Sequence, residues 1–390
     1  RFFSSYALRL STSRTGVSMH YPFHLRSITL KNGWTKSNKN EEIMWSAEAL
    51  DRIPIHFIFC TERTGSSMLT ELLNRNPNAL ATSEEPFALY FYNRYHKIQQ
   101  WTDEIIVEYV NQFFRLFEKN PLLYFEHKEV FIQCLSAHKA ILNYERLVKL
   151  SYLNFYDGSV KSKENVRLII DKQMKYVFHA SAISRLFPDA KILFLTRDVF
   201  ANIEAKSRRK IDFLTHPYYQ ANIWNLTYSQ INQFRTVSII RFEDIMQHPE
   251  ASIQQINDFF GIDGIDGILE KPNGFIALIE KRRHLLSDEF IQQLEDFHRG
   301  LMQRKVPREH QHKLKAQQHS TIALKTNSTR QQLGYSKVDE FLNSPYTHRI
   351  AWNYYKLMAM AFRPLLWRSY YLIPLSLKLI FRKKKREYEP

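Results

Sequence analysis

Residues 55–74 have the sequence IHFIFCTERTGSSMLTELLN, which divides into an apolar run, a polar turn and a patterned segment. The apolar run, Ile55–Cys60, has the length and composition of a buried parallel strand. The polar turn, Thr61–Ser67, contains one glycine. After it, leucine and methionine recur at the spacing of one helical face. The stretch therefore predicts a strand, a tight turn and a helix in direct succession.

A turn of this kind is suited to binding an anion. Its backbone N–H groups and the helix N-terminus point at whatever lies in the loop. Gly65 allows close approach to the backbone, and Ser66 and Ser67 add hydroxyl donors. Arg63 adds a fixed positive charge with several donors in a fork. These residues predict a phosphate-binding loop, and the alternative is an ordinary strand-to-helix turn.

The loop is not a Walker A loop, because the pattern GxxxxGK[ST] is absent. The segment TERTGSSMLTELL instead resembles the 5′-phosphosulfate loop of sulfotransferases that use the donor 3′-phosphoadenosine 5′-phosphosulfate (PAPS), in particular bacterial and carbohydrate-type members. The resemblance implies that Arg63 both binds the donor and assists catalysis. It also implies donor binding by the rest of the loop, namely Thr64, Gly65, Ser66, Ser67 and Met68.

A second motif, LFPDAKILFLTRDVFANIEAKS, places Arg197 directly after an apolar strand. It resembles the 3′-phosphate motif of the same family, in which an arginine and a serine of the next helix hold the 3′-phosphate of PAPS. Val199 stands where proline is usual, and Ala205 occupies the usual serine position. Ser207 is the nearest replacement. The alternative for Arg197 is a structural ion pair with Asp198 or Glu243.

A third match, SIIRFEDIMQHPEASIQQINDFFGI, resembles the segment that follows the 3′-phosphate motif in these enzymes. We expect it to be scaffold, with Glu243 and Asp244 as internal hydrogen-bond partners rather than catalysts. The three matches cover Ile55–Pro86 and Val166–Ile262 in the order that the family has.

Sulfuryl transfer also needs a base that removes the acceptor proton. The resemblance favours Glu85 of the Glu85-Pro86 pair, which follows the second predicted strand, with Glu84 in reserve. The alternative is that both are solvated loop acids. Further candidates are Lys172 and His179 near the third strand, and Lys325 and Arg330 in LKTNSTRQQLGYS, where a solvated loop is the alternative.

The composition limits the class of protein. The 390 residues are 44% apolar and 14% aromatic, which is enough for a large core. The net charge of +16 indicates an anionic partner. The two cysteines, Cys60 and Cys134, provide neither a disulfide framework nor a metal cluster, and no metal is predicted. The first 40 residues hold seven Lys/Arg and no acidic residue, a pattern of a transit peptide or of an irregular lead-in.

Strands that alternate with helices predict an α/β fold with a central parallel, doubly wound sheet of about five strands. The resemblance implies that this is a P-loop-like three-layer fold. We divide the chain into a basic lead-in (1–50), a sulfotransferase domain (51–345) with a helical insertion or cap (87–157), and a tail (346–390). The tail combines apolar runs with the basic run RKKKR. It predicts either peripheral contact with an anionic membrane or a helix docked on the protein.

The resemblance implies a PAPS-dependent sulfotransferase, with PAP as product, that acts on a hydroxyl or an amine of a carbohydrate, lipid or small metabolite. The alternatives are a nucleotide-dependent kinase and a non-catalytic membrane- or nucleic-acid-binding protein. For the sulfotransferase we expect no nucleic-acid partner. The sequence predicts a cytoplasmic location, with peripheral attachment to a membrane if the tail binds lipid.

Overall fold

Five parallel strands form one sheet in the spatial order β2-β3-β1-β4-β5. The strands are β1 (Ile55–Cys60), β2 (Ala79–Ser83), β3 (Leu168–Lys172), β4 (Lys191–Thr196) and β5 (Thr236–Arg241). The apolar runs of the sequence predict strands at Ile55–Cys60, Ala79–Ser83, Lys191–Thr196 and Thr236–Arg241, which are the bounds of β1, β2, β4 and β5. They predict the third strand at Val166–Ile170, and β3 instead extends to include Asp171 and Lys172.

The computed structural model describes residues 45–74, 76–83, 87–117, 128–155, 163–207, 216–262, 292, 314–338 and 346–362. All of them belong to one unit, Thr29–Tyr371. The predictions for residues 1–40, for Glu84, Glu85 and Pro86, and for the tail beyond residue 362 lie outside the described residues.

The described α-helices are numbered in chain order. They are α1 (Ala47–Asp51), α2 (Ser66–Leu73), α3 (Phe87–Tyr90), α4 (Tyr92–Tyr95), α5 (Asp103–Phe117), α6 (Lys128–Ala137), α7 (Tyr144–Phe155), α8 (Ala180–Leu186), α9 (Val199–Ser207), α10 (Pro217–Tyr228), α11 (Phe242–Gln247), α12 (Pro249–Phe260), α13 (Ala316–Gln332) and α14 (Tyr346–Leu357). None of these helices has the length and apolar character needed to span a membrane.

Helices cover both faces of the sheet, so the chain has the predicted α/β three-layer architecture. Side chains of β1 alternate between the two layers. Phe57 and Phe59 pack into a cluster with the helices between β2 and β3, whereas Ile58 and Cys60 pack against α2 and α12. All six residues of β1 are buried, which explains why its sequence lacks a polar face.

The described residues between β2 and β3 are mostly helical, as the fold prediction has it. Its helices are held by a set of aromatic rings, of which Phe91 and Tyr109 lie 4.9 Å apart. The Tyr144 hydroxyl donates to the Ala88 carbonyl at 3.2 Å and joins the two ends of this segment. That the segment caps the acceptor stays a prediction.

The segment LKTNSTRQQLGYS differs from the solvated loop that the sequence left open, because most of it is the second half of α13. The polar composition is misleading for a physical reason. Hydroxyls of this helix donate to the carbonyl four residues earlier, as Ser320 does to Ala316 at 3.1 Å and Thr326 to Ile322 at 2.8 Å. Their polarity is satisfied inside the helix, so they can be buried.

Candidate active site at the carboxyl ends of the strands

The loop after β1 is curled by two residues in the left-handed region. Arg63 has φ 66° and Gly65 has φ 83°, and α2 begins at the next residue, Ser66. The Thr64 hydroxyl donates to the Thr61 carbonyl at 2.9 Å across the turn. A Cβ on Gly65 would lie 2.5 Å from the Phe242 ring, so only glycine fits here. This is the strand, turn and helix that the sequence predicted.

The predicted donor-binding residues of the loop are placed around this turn. Arg63 and Ser67 are exposed, Thr64 and Ser66 are buried, and Gly65 and Met68 are half-buried.

Arg197 lies beside this loop, because β4 pairs with β1 in the sheet. Its Nη1 donates to the Arg63 carbonyl at 3.2 Å. Its guanidinium also lies 4.9 Å from the centre of the Phe242 ring, which follows β5. The ends of three strands thus bring Arg63, Arg197 and Phe242 to one place. Within the described part of the chain, no carboxylate forms an ion pair with Arg197. The alternative, a structural ion pair with Asp198 or Glu243, is therefore not seen there.

Helix α9 fixes the loop from the side. Asn202 donates from Nδ2 to the Glu62 carbonyl at 2.7 Å. Ser207, the predicted serine substitute, is buried and donates to the Glu204 carbonyl of its own helix at 2.7 Å. At 3.6 residues per turn, Ser207 is rotated by about 140° from Asn202 around the helix axis. The described contacts of Ser207 therefore do not bring it to the loop.

A network of charges fixes the start of α9. Asp198 accepts from the Phe200 N–H at 3.0 Å as a helix cap. It also accepts from Arg330 at 2.7 and 3.0 Å. The Asp198 N–H donates to Glu243 at 3.0 Å, and the other oxygen of Glu243 accepts from Tyr335 at 3.0 Å.

Glu243 therefore has the internal role expected for it. Asp244 does as well, because it is bound by Arg241 through two bonds of 2.7 Å each.

Arg330 is the cation of α13 that reaches this network. Its side chain is 7% exposed, and its guanidinium also lies 5.3 Å from the centre of the Phe200 ring. The remaining nitrogen, Nη1, has no hydrogen-bond partner among the described residues. Lys325, the other candidate in this segment, is exposed, and its carbonyl accepts from Asn225 at 2.9 Å.

The other half of the sheet edge holds Lys172, which is 1% exposed at the end of β3. The register places it opposite Ser83 on one side and Ile58 on the other. It thus lies between the strand that leads to the loop and the strand that leads to Glu84 and Glu85. His179 ends the 3-10 helix Met174–His179 and is half-buried.

Asp171 precedes Lys172 and belongs to the opposite face of the sheet. It accepts hydrogen bonds from the hydroxyls of Thr82 (3.0 Å), Tyr152 and Tyr176. Burial raises the pKa of the Asp171 carboxyl to about 6, although the three hydroxyl donors act in the opposite direction. The carboxylate joins β2, β3 and the helical segment between them. In the described ranges, no group of three or more His, Cys, Asp or Glu is arranged to bind a metal ion.

Comparison with family models matches the one described as "Sulfotransferase family" to residues 54–266, which is more than half of the chain. The chain belongs to the sulfotransferase family. No curated protein matches it.

Solved structures similar to this sulfotransferase include three bacterial examples. The sulfotransferase domain of the Synechococcus PCC 7002 olefin synthase is 20% identical with a TM-score of 0.36, and the match covers 65% of this chain and 96% of that one. The sulfotransferase domain of the curacin biosynthetic pathway is 15% identical with a TM-score of 0.38, covering 74% and 100%. A sulfotransferase from Alicyclobacillus acidocaldarius is 14% identical with a TM-score of 0.29, covering 65% and 97%.

Sequence reasoning missed several residues that build the site of this sulfotransferase. Asn202 holds the loop, and Trp224 donates from Nε1 to the Arg197 carbonyl at 2.9 Å. Phe242 closes the loop from the side of β5. The sequence could have indicated Asn202, because its amide lies on the helix that follows the arginine motif. The contacts of Trp224 and Phe242 depend on packing that no local pattern encodes.

Proposed function

We propose that this sulfotransferase takes its sulfuryl group from PAPS and transfers it to a hydroxyl, or less readily an amine, of a carbohydrate, lipid or small metabolite. The observation that carries the proposal is the contact between Arg197 Nη1 and the Arg63 carbonyl at 3.2 Å. Two cationic motifs that are distant in sequence meet there at the carboxyl ends of the strands. That is the region where α/β folds bind their ligands.

The residues present fit a doubly phosphorylated nucleotide. The curled backbone around Gly65 leaves no room for a side chain and opens into the N-terminus of α2. Arg197 lies next to it, and the unpaired Nη1 of Arg330 is a buried donor beside Asp198. A buried donor without a partner is costly, and an anion would satisfy it.

Each group has a stated role in the proposed reaction. Bound PAPS supplies an activated sulfuryl group. The loop with Arg63 holds the 5′-phosphosulfate end, and Arg197 binds the 3′-phosphate. Arg63 also stabilises the negative charge that develops on the transferred group. Glu85 removes the proton from the attacking hydroxyl oxygen or amine nitrogen of the acceptor. Lys172, at the end of β3, contacts donor or acceptor in this proposal.

The kinase alternative is less well supported. The turn Thr61–Ser67 contains no lysine, which a phosphate-binding loop of that class uses. Asp171 occupies β3, but its oxygens accept from three hydroxyls on the face opposite α2. An inert binding protein would not need two arginines and a glycine in the left-handed region at one point of the sheet.

Calorimetric titration with PAP and with ATP tests the proposal. We expect PAP to bind and ATP to bind at least tenfold more weakly. Arg63→Ala and Arg197→Ala should each weaken PAP binding by about 1.5–3 kcal/mol, the loss of one charge-assisted contact. Arg185→Ala on α8, an exposed arginine away from the loop, is the matched control and should bind PAP normally. Equal affinity of all three variants for PAP would refute the site.

The base is tested separately by Glu85→Gln, with Glu84→Gln as the neighbouring control. If Glu85 removes the acceptor proton, its amide variant keeps PAP affinity and loses about 100-fold or more in turnover. Turnover is measured with labelled PAPS over a set of acceptor classes. A larger loss in Glu84→Gln than in Glu85→Gln would transfer the role to Glu84.

A further inference from the structure

Helix α14 and the turn after it expose a row of apolar side chains. Ile350 is 52% exposed, Tyr354 53%, Leu357 62% and Met360 48%. Their separations of four, three and three residues put them on one side of the helix. These four are half of the large apolar side chains that are exposed among the described residues. A concentration of this kind marks an interaction surface rather than scattered surface residues.

The opposite side of α14 is fixed to the protein. Trp352 is 3% exposed and Ala359 is fully buried. The Tyr355 ring stacks on His216 with centroids 3.9 Å apart, and the Tyr218 hydroxyl and His348 Nδ1 lie 2.5 Å apart. The exposed row therefore belongs to an anchored helix.

The charge around this row has a single sign. Helix α14 contains no acidic residue, and Arg349 and Lys356 are both exposed. At about 100° per residue, each of them lies next to the apolar row on the same flank. The sequence continues this bias, since residues 346–386 contain ten Lys/Arg and no Asp or Glu.

We propose that the outward face of α14 docks on an anionic lipid bilayer. Ile350, Leu357 and Met360 enter the boundary between headgroups and acyl chains, while Arg349 and Lys356 contact lipid phosphates. The inference does not depend on the proposed reaction, because none of these residues belongs to the active site.

Charge decides between a bilayer and a second copy of the chain. A two-fold interface through this face would place Arg349 and Lys356 against the same residues of the partner. Like charges facing each other oppose association. A surface of anionic headgroups satisfies the apolar row and its cationic flank together.

Co-sedimentation of the full chain with vesicles tests the proposal. The vesicles are phosphatidylcholine alone and phosphatidylcholine with about 30% phosphatidylserine. We expect binding to the anionic vesicles only, reduced in about 0.5 M salt by screening. Ile350→Asn/Leu357→Asn should partition at least about tenfold more weakly, because two apolar groups no longer enter the lipid.

The matched control is Val107→Asn/Met246→Asn, which changes two exposed apolar side chains on α5 and α11. It should bind vesicles as the wild type does, and circular dichroism should show both double variants folded. As a second measurement, the added fluorescence of Leu357→Trp should be quenched by brominated lipid, and that of Met246→Trp should not.

Three results would overturn the proposal. The first is no vesicle binding by the wild type. The second is undiminished binding by Ile350→Asn/Leu357→Asn. The third is a concentration-dependent dimer in sedimentation velocity that this double variant abolishes, which would assign the face to a second copy.

Discussion

Gly65 is required for its backbone conformation and for the space it leaves. Its φ of 83° is in the left-handed region, and the Phe242 ring lies where a Cβ would be. We predict that Gly65→Ala lowers the free energy of unfolding by about 1–2 kcal/mol from the backbone conformation. Displacement of the ring adds about 1–3 kcal/mol. Since Phe242 also contacts Arg197, PAP affinity should fall as well.

Gly261 provides the control, because its φ is 73° and nothing lies within 4 Å of the place that an added methyl group would take. Gly261→Ala should lower the free energy of unfolding only by the backbone contribution of about 1–2 kcal/mol. It should keep PAP affinity. Urea unfolding and calorimetric titration of both variants give the comparison. Equal losses in the two variants would mean that the Phe242 contact is unimportant.

The buried carboxyl of Asp171 makes the free energy of unfolding fall as the pH rises. Its folded-state pKa is raised to about 6, whereas an aspartate in the unfolded chain titrates at about 4. Between these values the folded state holds a proton that the unfolded state has lost. The contribution of protonated Asp171 to the free energy of unfolding is therefore fully present below about pH 4 and is lost as the pH rises through 6.

The prediction concerns the difference between the wild type and Asp171→Asn, which does not titrate at this position. From pH 4 to 7, the free energy of unfolding of the wild type should fall by about 2 kcal/mol relative to the variant. Asp189→Asn, at an exposed aspartate, controls for removal of a carboxylate elsewhere. A difference that stays constant across this range would show that Asp171 is ionised throughout.

At the scale of elements, α13 and the turn after it clamp the junction between β4 and α9. Tyr335 donates to Glu243, which in turn accepts from the Asp198 N–H next to Arg197. We predict that Tyr335→Phe weakens PAP binding about threefold to tenfold, because one bond to a carboxylate that positions Asp198 is lost. Calorimetric titration measures the effect.

Tyr144→Phe is the matched control, since it also removes one hydroxyl hydrogen bond, here to Ala88. Both variants should lose about 1 kcal/mol in free energy of unfolding. Only Tyr335→Phe should change PAP affinity. A parallel loss of affinity in Tyr144→Phe would attribute the effect to general destabilisation.

The sequence predicts elements well where one local pattern decides them. The apolar runs of β1 and β4 are buried parallel strands, and the run of β5 is a largely half-buried strand at the edge of the sheet. The ends of β1 and β4 carry the loop and Arg197 as expected. Helix α13 was not predicted, because its polar composition is typical of a loop. Its buried hydroxyls instead form hydrogen bonds within the helix. Ser207 was chosen by its position in a motif. It is buried and donates to Glu204 of its own helix, and its contact with a 3′-phosphate stays a prediction.

The whole molecule explains why two distant motifs form one site. Arg63 and Arg197 are 134 residues apart and become neighbours only because β4 pairs with β1. The described helices between β2 and β3 instead pack on the face that holds Phe57 and Phe59. Donor and acceptor binding should therefore affect different parts of the protein.

Hydrogen exchange with PAP alone tests this division. At a PAP concentration of about 100 times Kd, binding adds about 2.7 kcal/mol to the cost of any opening that releases the ligand. Amides of Thr64–Ser67 and of Asp198–Phe200 should exchange about 100-fold more slowly, if their exchange requires such an opening. Amides of α5 and α6 should be unchanged until an acceptor is added. Protection confined to α5 and α6 would place the nucleotide in the helical segment and remove the loop from donor binding.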